Sequence, residues 1–140
     1  MIYYLVYLSS ASHLYTDAEM LEILSVSRKN NTAKNITGIL LYFEGSILQV
    51  LEGEKETVRK LYDTIKKDDR HKSIITMTDG TNEERSFADW SMGFKKVSEN
   101  EWNDYEGYFN LKKSSLFSVI KNKNRKIDTS VKSFVQANFS

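Results

Sequence analysis

The stretch Ile36-Thr37-Gly38-Ile39-Leu40-Leu41-Tyr42-Phe43-Glu44-Gly45-Ser46-Ile47-Leu48-Gln49-Val50-Leu51 decides the fold. Two runs rich in branched and aromatic apolar residues flank Glu44-Gly45, an acidic residue–glycine pair of the kind that closes tight antiparallel hairpins. The pattern predicts strands over 36–43 and 46–51, with Gly53 ending the second. Upstream, residues 2–8 form another such run. Both of its parities are apolar, Tyr3, Leu5 and Tyr7 against Tyr4, Val6 and Leu8, as in a strand covered on both faces or lying mid-sheet. Between these runs, Thr16-Asp17-Ala18-Glu19 matches a capping box, with Thr16 as N-cap and Glu19 reaching back. A helix is predicted from there to about Asn31. Met20, Leu24, Ser27 and Asn31 fall on one stripe of it, so that stripe begins apolar and ends in a hydroxyl and an amide.

Downstream, residues 54–67 read as a helix, with Val58, Leu61, Tyr62 and Ile65 at i, i+3, i+4 and i+7. Residues 73–77 and 90–97 read as a fourth and a fifth strand, with a polar loop over 80–87 between them. The order βαββαββ predicts an α+β, ferredoxin-like plan: a five-stranded sheet with two helices on one face. In that plan the first and third strands are central neighbours, which sets Tyr7 beside Gln49. Beyond residue 100 the character changes. Leu116, Phe117 and Ile120, then Ile127, Val131, Phe134 and Val135, show helical spacing around Lys121, Lys123, Arg125 and Lys126. The expectation is one domain over 1–100. Over 101–140 it is two short amphipathic helices that pack on the free sheet face or contact a partner.

Composition removes several function classes. The 140 residues carry 20 Lys+Arg against 19 Asp+Glu, a net charge of +1, so no general attraction to nucleic acid or anionic membrane is expected. The absence of cysteine excludes disulfides, thiolate metal sites and cysteine nucleophiles. Two histidines, His13 and His71, make a histidine-built metal site a poor expectation. Residues 1–8 are too short an apolar run for a signal core, and no run is long enough to span a membrane, so a cytoplasmic protein is expected. None of the six glycines forms a dinucleotide or phosphate-cradling loop, and there is no GxSxG elbow. No enzyme of a familiar class is visible.

What stands out is buried amide and phenol chemistry. Gln49 shares a strand face with Ile47 and Leu51, a polar group in an apolar row. Leaving such an amide unsatisfied costs about 1–3 kcal/mol, so it must have a partner. That partner is either a structural hydrogen bond or the polar edge of a ligand. Asn31 has the same two readings, a helix C-cap or a ligand contact. Tyr7, Asn31 and Gln49 converge in the predicted fold, which favours a ligand.

Five segments then occur in a telling order and spacing. They are Leu5-Val6-Tyr7-Leu8-Ser9; Asn30-Asn31 with Asn35-Ile36-Thr37-Gly38-Ile39-Leu40; Leu48-Gln49-Val50-Leu51-Glu52-Gly53; Asp69-Arg70-His71; and Trp90-Ser91-Met92. Together, over residues 2–97, they resemble the BLUF family, sensors of blue light using FAD. The resemblance implies a receptor and not an enzyme, and a flavin held between the two long helices. FAD is the implied form, with FMN and riboflavin as alternatives. It implies that Tyr7 is the photoactive tyrosine and Gln49 the switching glutamine, with Asn31 on the ring's carbonyl edge and Ser27 and Asn30 lining the ring. Trp90 and Met92 match the pair that exchanges near the glutamine. Asp68, Arg70 and His71 fall where the ribityl and phosphate part is held. No output motif is assignable beyond residue 100, so a separate downstream protein is expected, reached through the C-terminal helices or through self-association. Two other readings compete. One is a ferredoxin-like regulatory domain that binds another small metabolite or only a protein. The other is an acylphosphatase-type hydrolase, which wants an Arg in a phosphate-cradling loop after the first strand; residues 9–15 offer neither Arg nor Gly.

Overall fold

A computed structural model describes residues 1–12, 16–43, 45–69, 71–87, 93–97, 102–104, 126–127, 129–130 and 132–134. The elements are β1 (Ile2–Ala11), α1 (Asp17–Ala33), β2 (Thr37–Phe43), β3 (Ser46–Gly53), α2 (Lys55–Lys66), β4 (His71–Asn82), β5 (Gly93–Val97) and β6 (Trp102–Asp104). All strands belong to one sheet in the order β4-β1-β3-β2-β5-β6. β1 runs antiparallel between β3 and β4, β2 pairs antiparallel with β3, and β5 runs parallel to β2. β6 returns antiparallel on the outer side of β5.

The hairpin is as expected: Phe43 pairs with Ser46, and Gly45 sits at φ 91°, a conformation glycine adopts without steric cost. Other elements depart from expectation. β1 runs on to Ala11, and β4 extends from His71 to Asn82 where a strand over 73–77 and a polar loop from 80 were expected. Asp79-Gly80-Thr81-Asn82 is turn-like in composition, but β4 is an edge strand, where polar residues are well tolerated. The sixth strand carried too short a pattern to be read.

α1 begins with the expected capping box. The Glu19 amide donates to Thr16 Oγ1 at 3.2 Å, and the Thr16 amide donates to Glu19 Oε1 at 3.1 Å. Its end is closed by Asn35, not Asn31. Asn35 takes a left-handed φ of 55°, the Ile36 amide donates to the Asn31 carbonyl at 2.8 Å, and the Asn35 amide donates to the Thr32 carbonyl at 3.3 Å. This is a Schellman motif, which asparagine supports because it tolerates the left-handed region. The Asn31 side chain is thereby relieved of capping duty. Met20 and Leu24, of the expected inward stripe, have side chains outside the described ones.

The sheet is covered on both sides. On one side Tyr3, Leu5 and Tyr7 join Leu40, Tyr42, Ile47 and Leu51, and α2 lays Val58 and Tyr62 on them, with Ile23 of α1 packed alongside. On the other side Tyr4, Val6, Ile39, Leu41, Leu48 and Val50 meet Phe87, Ile127 and Phe134. The doubly apolar pattern of β1 is explained by these two layers.

β4 follows β1 with two irregularities. Val6 pairs with Thr78 but Tyr7 with Thr76, leaving Met77 as an extra residue; a second shift lies between Leu8 and Ser10, where Ser73 takes φ 51°. The bulge at Met77 changes the parity of the strand. Thr76 and Asp79, three apart, therefore both stand on the helix side, opposite Tyr7 and Leu5.

Among the described residues, no helix is long and apolar enough to cross a membrane. Ile127 is fully buried in the second layer, so Ile127→Ala should lower stability by about 2–4 kcal/mol. Urea unfolding measures this; an unchanged midpoint would mean that the segment does not cover the sheet.

Candidate functional site

The register fixes the centre of the site. Tyr7 of β1 and Gln49 of β3 are direct partners in the antiparallel ladder, so both side chains leave the sheet on the same face, the one α2 covers. The Tyr7 hydroxyl donates to Gln49 Oε1. Tyr7 is 0% exposed and Gln49 5%. With its oxygen turned to the phenol, the carboxamide has its NH2 as the donor end. Burial pushes the Tyr7 pKa far above the tyrosine range, and Tyr62 and the charge of Asp68 push it the same way. The phenol is therefore held neutral, with a proton to give.

The Tyr62 ring lies 5.2 Å from that of Tyr7, tilted by 37°, an ordinary aromatic-pair geometry. Its hydroxyl and that of Thr76 hydrogen bond at 2.7 Å, and Lys66 Nζ sits 4.6 Å above its ring. The apolar stripe of α2 had marked Tyr62 only as a core residue. The Met77 bulge, which turns Thr76 toward it, leaves no trace in the sequence.

Asn31 is 2% exposed at the end of α1. Since Asn35 closes the helix, burial of this amide is not explained by capping. Ser27 is half-buried and Asn30 exposed on the same helix, and Asp68 follows α2, half-buried, with its amide on the Ile65 carbonyl at 3.0 Å. Arg70, Trp90 and Met92 lie outside the described residues, as does the side chain of His71. The structure thus brings Tyr7 and Gln49 into contact, and Asp68 within electrostatic reach of Tyr7. A neutral phenol and a two-ended carboxamide in contact can offer a donor and an acceptor to a polar ligand edge, and Asn31 is a further buried amide on α1. Among the described residues, no group of His, Asp and Glu could hold a metal ion.

An open cleft of about 300 Å³ lies on the outer flank of α2, lined by Tyr3, Arg59, Tyr62, Lys66, Thr76 and Asp79 among others. It holds none of the residues expected to bind a flavin, and meets the surroundings of Tyr7 at Tyr62 and Thr76. The Tyr3 hydroxyl donates to Asp79 Oδ2 at 2.7 Å, and Arg59 approaches the same oxygen at 3.4 Å.

A second polar cluster, on the opposite face, was not anticipated. Glu52 is only 1% exposed. Its Oε1 accepts from Thr37 Oγ1 at 2.9 Å and from the Phe87 amide at 2.6 Å, and its Oε2 accepts from the Ser86 amide at 2.8 Å. Arg85 donates to Thr37 Oγ1 at 2.9 Å and to the carbonyls of Glu52 and Asn35 at 3.1 and 2.8 Å. Burial pushes the Glu52 carboxyl above its ordinary 4.5, opposed by these hydrogen bonds and by the Arg85 charge. A charged residue closing an apolar strand, Leu51-Glu52-Gly53, was the signal available in the sequence.

With this geometry in hand, comparison with known proteins is decisive. Residues 2–93 match the family model described as BLUF, sensors of blue-light using FAD. The chain belongs to the BLUF family of blue-light sensors. Photoactivated adenylate cyclase subunit alpha of Euglena gracilis is 36% identical over 84 residues, covering 60% of this chain and 8% of that protein. The chain spans about a tenth or less of the length of the curated relatives it matches first. Among solved structures, BlrB, a BLUF protein in its dark state, is 32% identical with a TM-score of 0.64, covering 68% of this chain and 72% of that one. A bacterial light-regulated adenylyl cyclase is 33% identical with a TM-score of 0.70, covering 98% of this chain and 34% of that one.

The polar flank of the site gives a titration test. Burial first, and then Asp79, push the Tyr3 hydroxyl up to about 12. The fold favours the neutral phenol, so this stabilisation is full below the ordinary tyrosine value of 10 and is lost as pH rises through about 12. Asp79→Asn removes the charge and leaves the burial. Tyr3 should then titrate below about 12 but still above 10, as followed by NMR of ring-labelled tyrosine. An unchanged value would remove Asp79 as a cause.

Proposed function

We propose that this domain senses blue light through the Tyr7–Gln49 pair, with a flavin bound over the helix-covered face of β1 and β3. The observation that carries this is the buried hydrogen bond from the Tyr7 hydroxyl to Gln49 Oε1. FAD is the preferred form over FMN or riboflavin, since the matching family is described by it. Asn31 would hold the carbonyl edge of the ring, with Ser27 and Asn30 beside it. Asp68, Arg70 and His71 would hold the ribityl and phosphate part, and Trp90 and Met92 would respond near Gln49.

When bound and excited, a flavin supplies light absorption and a one-electron oxidant. The chain's own residues do the rest. Tyr7, neutral and dry, gives up an electron and passes its phenolic proton along the bond to Gln49. Gln49 then rotates its carboxamide or, holding that proton on Oε1 and releasing one from its nitrogen to the acceptor edge of the bound ring, would take its imidic-acid tautomer, and either change exchanges donor and acceptor ends. Return of the electron and proton to Tyr7 leaves no net chemistry but a new hydrogen-bond arrangement. The domain acts as a sensory module without catalysis of its own.

We read the architecture as the ferredoxin-like plan extended at the β2 edge, with Ile127 and Phe134 set against the second sheet face; the two helices expected over 101–140 otherwise lie largely outside the described residues. Output passes to a downstream protein partner, with self-association as a further route. Relatives whose names join light to a cyclase support an output of this kind. Near-neutral charge argues against a general attraction to nucleic acid or anionic membrane, and a cytoplasmic location is part of the same reading.

A dark-minus-light absorption spectrum tests the proposal. Purified protein should be yellow and shift to the red on illumination. Tyr7→Phe and Gln49→Leu should each keep the flavin and lose the shift entirely. A normal shift in Tyr7→Phe would reject the role of Tyr7, and a colourless protein would favour a regulatory domain for another ligand.

A further inference from the structure

Glu52 is a buried carboxylate for which the light chemistry has no use. Taking a charge out of water is expensive, and here the cost is offset by the two backbone amides and the hydroxyl that the carboxylate accepts. Those bonds tie Glu52 to a segment more than thirty residues away. Glu52 stands three residues from Gln49 on β3, on the opposite face of the same strand. Its two oxygens take the amides of Ser86 and Phe87, and its neighbour Thr37 on β2 is gripped by Arg85. Phe87 inserts into the core of that second face. The chain passes from Phe87 straight into Ala88-Asp89-Trp90-Ser91-Met92.

We propose that Glu52 is a positioning residue of the light response, a clasp by which the strand bearing Gln49 fixes the start of the segment bearing Trp90 and Met92. The proposal rests on the photoreceptor reading above. The two amide bonds, at 2.8 and 2.6 Å, are short and charge-assisted, so they transmit a small displacement of β3 to the Ser86–Phe87 backbone. Thr37 of β2 and Arg85, beside Ser86, complete the clasp: the Thr37 hydroxyl accepts from Arg85 while donating to Glu52, so a single hydroxyl links the two charged side chains. Glu52 touches neither Tyr7 nor Gln49. It acts through the backbone they share, and its substitution should spare flavin binding and the primary shift.

The test uses Glu52→Gln in the full, flavin-loaded chain. Glutamine keeps the size and one acceptor oxygen, but sets an NH2 donor against an amide N–H. Hydrogen exchange at the Ser86 and Phe87 amides should rise by about ten-fold or more. The light-induced absorption shift should keep its full amplitude, while its thermal return in the dark changes by about three-fold or more. Thr37→Val, which removes the linking hydroxyl with little change of volume, should act in the same direction and serves if Glu52→Gln does not fold. Raised exchange with an unaltered return rate would make the clasp merely structural and overturn the proposal. Unaltered exchange would overturn it at the first step. The absence of any shift in the unsubstituted protein would overturn the photoreceptor reading, and this proposal with it. A normal shift with normal return in Glu52→Gln overturns this proposal alone.

Discussion

The antiparallel register between β1 and β3 is the constraint on which the rest of the structure depends. It sets Tyr7 directly opposite Gln49, and because side chains alternate along a strand, a slip of one residue would send one of them to the other face. The register is pinned on both sides at once. Tyr3, Leu5 and Tyr7 must meet Ile47 and Leu51 under α2, while Tyr4 and Val6 must meet Leu48 and Val50 on the opposite layer. A strand buried on both faces has no alternative pairing that keeps its apolar surface dry. The phenol–amide hydrogen bond is thus a consequence of core packing as much as of its own energy, which for a neutral pair is only about 1 kcal/mol net.

Burial gives that hydrogen bond its chemical character. A phenol in water is free to ionise at high pH and to exchange partners with solvent. Tyr7, sealed under Tyr62, has only the partners the fold supplies, and its ionised form is strongly disfavoured. The amide opposite it offers both a donor and an acceptor from a single planar group. A pair with few states, differing by the orientation of that plane, is a suitable element for a sensor, since a bistable local arrangement is what a switch requires.

Much of this was legible in the sequence because it is written in period and in turn chemistry. The capping box at Thr16, the Glu44-Gly45 hairpin, the stripe of α2 and the doubly apolar β1 each follow from local rules, and the adjacency of Tyr7 and Gln49 follows from element order. The rest depends on tertiary context. The end of α1 could not be assigned between Asn31 and its neighbours until the left-handed residue was seen to be Asn35. The polar end of β4 reads as loop because an edge strand is free to be polar. Thr76 and Asp79, three apart, would face opposite ways on a regular strand, and the extra residue at Met77 sets them on one face. Two of the three side-chain partners of Glu52 are the Ser86 and Phe87 amides, more than thirty positions away, and no spacing rule reaches that far.

The two irregularities in β4 have a further meaning. An outermost strand with an even row of amides and carbonyls is a template on which another chain can add itself, and 61% exposure of Ile75 would add an apolar incentive. Here the row is broken twice within a few residues, at Met77 and again at Ser73, so its hydrogen-bonding groups no longer point outward at a constant interval. A straight incoming strand cannot match them. The edge beside Tyr7 is therefore a poorer template for strand addition than a regular strand would be.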